Sequence, residues 1–266
     1  MLWVVQQNLF NERQYEAFID VLDRAQLDYQ VVKVIPFGGG MEPEVIPEGR
    51  CIVYGSVGLS KIAQERSWIP GSYMNELFDV SHWMSAYGKE CLNWGSRISR
   101  FDQVEEQSEP FFIRPCLDDK SFGGTVFETW EEFQVWQNKV IALKETYTTL
   151  DGSTMVAVAP AQNVAEEYRC WIVSNPDTGR HEVVTASRYA RNRVLSASPH
   201  VDEEILAYAE ERAHAWAPAD AFVLDIARLA DHSMRVVEIN CICGSGLYEA
   251  NVSKMIQALN YLGDHS

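Results

Sequence analysis

The stretch FVLDIARLADHSMRVVEINCICGSGLY, Phe222–Tyr248, decides how the chain is read. Two arms rich in Val, Ile and Leu flank the polar cluster Ala230-Asp231-His232-Ser233, as strands flank a hairpin turn. Acidic and amide side chains stand inside those arms, where burial without a partner is costly. A two-residue turn at Asp231-His232 would pair 230 with 233 and bring Asp225 opposite Glu238. Side chains alternate faces along a strand, so Asn240 shares a face with Glu238. Facing carboxylates repel unless a cation lies between them. A few hard oxygen ligands suit Mg²⁺, which keeps waters and fills its octahedron with phosphate oxygens. Asp225, Glu238 and Asn240 are therefore the candidate metal ligands. The same register sets Arg228 opposite Arg235, a like-charge pair that argues against it. The plainer account of the stretch is an edge hairpin with a solvated acidic face.

An Asp on one strand, Glu238-Ile239-Asn240 on the next, then Gly244-Ser245-Gly246-Leu247-Tyr248 together resemble the metal-binding end of the ATP-grasp superfamily. The likeness is to its compact phage and bacterial members, regarded as amide or peptide ligases. It covers about residues 110–262 and implies an antiparallel sheet that clasps ATP, with Mg²⁺. The fold expected is α/β (α+β). An N-terminal α/β lobe, 1–107, precedes a nucleotide-binding and catalytic ATP-grasp domain, 108–266.

Further motifs extend the resemblance. Arg114-Pro115 ends the apolar run Phe111–Ile113, and Lys120-Ser121-Phe122-Gly123-Gly124 follows. Cations and glycines suit a triphosphate, because fixed charge neutralises oxygens and glycine lets backbone amides approach. The family pattern places Lys where Arg114 stands; a guanidinium still bridges phosphate oxygens bidentately. By the resemblance, the strand end at Ala159-Pro160 is the hinge whose backbone meets adenine, and Glu167 reaches the ribose. Arg169 would meet the transferred phosphate or the substrate acid, with Arg188 as the next such contact. Arg169 lies mid-strand beside Cys170 and Ile172, where an unpaired charge is expensive, so an anion near it is expected.

The remaining chain sets bounds. At 266 residues and 47% hydrophobic, with 8 Trp, it has enough apolar chain to bury a core. A net charge of −16 with only 22 Lys and Arg opposes nucleic-acid binding. The six cysteines form no CxxC pair and no zinc-finger spacing, which points to a reducing cytoplasm. Neither a signal peptide nor a bilayer span of about 20 apolar residues is visible. Strands are expected at Leu2–Val5, Tyr29–Ile35, parallel to the first, and Cys51–Tyr54, and Gly38-Gly39-Gly40 reads as a loop between strands, lacking the Lys-Ser/Thr of a phosphate loop. A helix is expected near 75–90, a linker or exposed helix at Asp102–Glu109, and helices at Thr129–Gln137, Asp202–Trp216 and Leu247–Leu262.

The activity expected is an ATP-dependent, ADP-forming ligase joining small-molecule or peptide carboxylate and amine substrates. A kinase that stops at phosphate transfer, or a non-catalytic nucleotide-binding module, are the alternatives.

Overall fold

A computed structural model describes residues 1–9, 12–35, 40–117, 121–142 and 150–265. The chain opens with β1 (Leu2–Gln6), α1 (Glu12–Arg24), β2 (Tyr29–Ile35), β3 (Gly40–Glu42), β4 (Cys51–Tyr54), α2 (Val57–Glu65) and β5 (Pro70–Gly71). These strands form a sheet in the order β3-β2-β1-β4-β5, with β1 parallel to both β2 and β4. Trp3, Val4 and Val5 are all fully buried, as expected of a parallel strand covered on both faces. The expected triple-glycine loop lies outside the described residues except for Gly40, which opens β3. The helix expected near 75–90 is shorter, α3 (Val80–Tyr87), capped by Asp79, whose carboxylate accepts from the Ser81 N–H at 2.8 Å.

Next come β6 (Arg97–Arg100), β7 (Phe111–Pro115), β8 (Thr125–Phe127), α4 (Trp130–Ala142) and β9 (Met155–Pro160). They build a second, antiparallel sheet in the order β6-β9-β7-β8, with α4 against it. Its interior is aromatic: Phe133 meets Phe101, Phe111, Phe127, Trp130 and Trp136 with ring centroids 5.1–6.0 Å apart. This cap has a core of its own, separate from the main one. The expected linker 102–109 contributes Val104 to that core, and the lobe division expected at 107/108 falls after β6, which pairs with β9.

The third sheet comprises β10 (Val164–Asn175), β11 (Arg180–Arg191), β12 (Val194–Ser198), β13 (Ala221–Leu229) and β14 (Met234–Asn240). It is wholly antiparallel, in the order β12-β11-β10-β13-β14. Between β12 and β13, α5 (Glu203–Ala215) inserts Ile205, Ala209 and Ala213, and α6 (Val252–His265) closes the chain on the sheet's other face. That last helix starts five residues later than expected. Residues 247–251 instead form a loop, with Tyr248 at φ +49° and Asn251 accepting from the Lys254 N–H. One continuous core joins this sheet to the N-terminal one, for example through Trp171 and Tyr54, ring centroids 6.1 Å apart.

The β13–β14 hairpin holds Asp225 opposite Glu238, but by a different route from the one expected. Its loop has three residues, not two. Leu229 N–H donates to Ser233 O at 2.9 Å, and His232 takes a left-handed φ of +67°. Alone, that loop would shift every pair by one. A bulge at Val237 shifts the register back between Ile226↔Val236 and Asp225↔Glu238. The feared arginine pair is gone: Arg228 faces Met234 and Arg235 faces Ala227.

Candidate active site

Arg169 on β10 is the direct partner of Asp225 on β13, and both side chains are buried. The guanidinium forks onto the carboxylate, Nε to Oδ1 at 2.9 Å and Nη2 to Oδ2 at 2.7 Å. It also lies against the rings of Tyr189 and Tyr248, 5.5 and 5.2 Å from their centroids, and those rings stack on each other. The expected anion beside Arg169 is thus internal, Asp225.

Glu238 gathers the rest. Its Oε2 lies 3.0 Å from Arg114 Nη1, its Oε1 is 3.8 Å from Arg169 Nη2, and Asn240 Nδ2 donates to Oε1 at 2.9 Å. Arg114, on β7 of the cap, is itself buried, with its guanidinium 5.4 Å from the Trp83 ring centroid. The Asp225 and Glu238 carboxyls contact each other. Burial first, and then Glu238, push Asp225 up to about 6, against the opposing pull of Arg169. Burial likewise holds Glu167 above the usual carboxylate range, although Tyr189 donates to it at 2.8 Å.

Beside this cluster a cavity of about 360 Å³ opens between cap and third sheet. Leu92, Phe112, Val126, Val164 and Val237 supply apolar wall, and Asn93, Gln162, Glu167 and Arg193 supply polar groups. Its size and mixture suit a small organic ligand. The bulge explains Val237: it lets two successive residues, Val237 and Glu238, both face the cleft, where a regular strand would turn one away. Gly124 lines the cavity as well, and a Cβ there would come within 2.5 Å of the Phe112 ring, which would have to shift.

A family model of the ATP-grasp domain, clade family 3, matches residues 6–259. The chain belongs to this ATP-grasp family. Among solved structures, the D-alanine–D-alanine ligase from Coxiella burnetii superposes with a TM-score of 0.63. The match covers 99% of this chain and 95% of that one at 10% identity, so the two share a fold. No curated protein matches the chain in sequence.

In this ATP-grasp chain, Arg114, Arg169, Asp225, Glu238 and Asn240 form one contact cluster, with Gly124 and Glu167 on the adjoining cavity. Gly123 stands beside it in open space, accepting from the Thr125 hydroxyl. Ala159 is buried in the cap sheet opposite Phe112, and Gln162, just past that strand end, is what faces the cavity. Arg188 is not brought to the cluster; it lies toward the sheet's other face with Arg191 and Arg228, all paired to Glu166. Lys120 lies outside the described residues. Val237 and Asn93 escaped the sequence reading, and Tyr248 was seen only as the end of the glycine motif, with no role assigned. Tyr189 and Arg193 belong to the basic run around Arg188 and Arg191, the densest in the chain, and Asn192-Arg193, both at positive φ, form the two-residue turn between β11 and β12.

Without another cation, the guanidiniums of Arg114 and Arg169 offset the two neighbouring carboxyls. Among the described residues no three His, Cys, Asp or Glu side chains form a metal cluster. Two acids and an amide nevertheless fit a Mg²⁺ that takes its remaining ligands from water and phosphate. No helix among the described residues is long and apolar enough to cross a membrane.

Proposed function

We propose that the chain is an ATP-dependent carboxylate–amine ligase that makes an amide or peptide bond through an acyl-phosphate and releases ADP. Membership of the ATP-grasp family supports an ATP-dependent ligase in general. The observation that carries the finer reading is the contact between Asp225 and Glu238, flanked by Arg114 and Arg169 at the edge of an apolar cavity. Glu238, Asn240 and Asp225 would hold Mg²⁺, which when bound draws charge from the transferring phosphoryl group.

The cavity's apolar walls take the nucleotide base, Glu167 the ribose, and Gly123 and Gly124 the approach of backbone to phosphate. Arg114 neutralises phosphate oxygens from the cap, in the place of the family's lysine, with Lys120 proposed as a second cation. Arg169 is the group aimed at developing charge. Were Asp225 to serve as a metal ligand, the Arg169 fork would be available to the substrate acid or the moving phosphate. The substrate carboxylate oxygen attacks Pγ, and the bond from Pγ to the β-phosphate oxygen breaks, giving ADP. The amine nitrogen then attacks the acyl carbon, phosphate leaves, and the amine gives up a proton. Arg188 receives no role, because Glu166 holds it away from the cleft.

The test combines ADP release over amino-acid and peptide pools with hydroxylamine in place of the amine. A ligase yields a hydroxamate; a stable phosphorylated product would mean a kinase. Glu238→Gln is expected to keep the wild-type circular dichroism and unfolding midpoint and to lose turnover by about two orders of magnitude or more. Unchanged turnover would remove the metal assignment.

A further inference from the structure

The cavity beside the carboxyl cluster holds one polar side chain that nothing else in the fold explains. Asn93 is 5% exposed, it lines the cavity, and its Nδ2 has no hydrogen-bond partner among the described residues. A buried amide N–H left unpaired is destabilising, and such groups are nearly always satisfied. The backbone fixes where this one points. Leu92 N–H donates to Val236 O at 2.7 Å and Cys91 bridges to Val236, so residues 91–93 run along the free edge of β14 beside the bulge. Ser96 closes the turn behind, its hydroxyl donating to Asn93 O at 2.6 Å. The side chain is therefore seated on a pinned segment with its amide turned to the cavity.

The cavity which that amide lines is walled by Leu92, Val237, Phe112, Val126 and Val164, a setting for a flat ring, with Glu167 and Arg193 also on its lining. A carboxamide offers a donor and an acceptor side by side. Adenine presents the complement, an N7 acceptor next to an N6 donor, whereas guanine presents two acceptors, N7 and O6.

We infer that Asn93 reads the base: Nδ2 donates to purine N7, Oδ1 accepts from the 6-amino group, and the site thereby selects adenine over guanine. This rests on the nucleotide-binding reading above and adds its base specificity. A guanine in the same pose would set its O6 against Oδ1, and an amide rotated to donate to O6 would lose N7.

The experiment is calorimetric titration of the full chain with ATP, GTP and 7-deaza-ATP, each with Mg²⁺, and of Asn93→Ala and Asn93→Asp with ATP and GTP. For the wild type, ATP is expected to bind about tenfold or more tighter than either GTP or 7-deaza-ATP. In Asn93→Ala, ATP weakens about tenfold and GTP changes little, so the preference collapses. Asn93→Asp, which cannot donate when ionised, behaves as the alanine variant toward ATP. Equal binding of ATP and 7-deaza-ATP by the wild type overturns the assignment without any variant having to fold, as does a preference for ATP that survives in Asn93→Ala. A wild type that binds none of the three nucleotides overturns the nucleotide reading itself, and the base assignment with it.

Discussion

Asp225 is the residue on which the charge balance of the cleft turns. An ordinary Asp titrates near about 3.9, whereas burial and Glu238 push this one up to about 6. Between those values the unfolded chain has released its proton while the folded chain keeps it. The folded state binds more protons there, so stability falls as pH rises through the window, by about 3 kcal/mol in total. Urea unfolding of the ligand-free chain at a series of pH values should show that fall, and Asp225→Asn should lack most of it. Glu167 is raised too and acts in the same sense, while Glu166 is lowered and acts oppositely, so the difference between wild type and variant isolates Asp225. Parallel pH profiles for the two would contradict the assignment. At this scale the sequence was informative where chemistry is costly: Asp225, Glu238, Asn240, Arg114 and Arg169 are charges or amides set among apolar neighbours, and all five meet. Arg188 was as conspicuous, yet alternation along a strand does not say which face is the cleft. Asn93 and Tyr248 stand in irregular segments whose direction no periodicity encodes.

The hairpin is the element in which prediction and structure agree for different reasons. The two-residue turn expected from Ala230–Ser233 is a three-residue loop, and the bulge at Val237 cancels the offset before Asp225 is reached. Turn chemistry alone could not have separated these cases, because loop and bulge are each set by contacts outside the hairpin, such as the Ala230 N–H donating to Asn163 O and Leu92 pairing with Val236. The bulge has a testable consequence. Deleting Val237 regularises the ladder with Asp225 still opposite Glu238, since the register beyond the loop then runs unbroken. The folded state and Mg²⁺ dependence should survive, while ATP binding should weaken about tenfold from loss of one apolar wall and the change in twist. Calorimetry on the deletion variant reads this directly. Unaltered ATP affinity would mean that Val237 contributes nothing to the cavity.

Across the whole molecule, the two cores divide the chain differently from its order. The first and third sheets share one interior, while β6 to β9 and α4 enclose another. The N-terminal parallel strands and the C-terminal hairpin were legible because each is a short apolar run between clear breakers. The cap was legible in part: the apolar run ending at Arg114, the helix at Thr129–Gln137 and the strand end at Ala159-Pro160 are β7, α4 and β9, whereas β6 and β8 are short, with only Phe127 among their residues belonging to a buried core. Phe133→Ala removes the ring at the centre of the cap and should cost about 3–5 kcal/mol there. Hydrogen exchange is expected to rise throughout 97–160 and to stay at the wild-type level in β10, β13 and α6. A uniform rise over both regions would show that the cap has no independent stability.

The glycine loop after β14 is fastened to the first sheet: Gly244 N–H donates to Gly55 O at 2.6 Å, and Tyr54 Oη donates to Ser245 O at 3.1 Å. Strand ends from opposite halves of the sequence are thereby riveted into a single floor, and only the roof above it is separately built. A ligand settling there meets a surface to which both ends of the chain contribute.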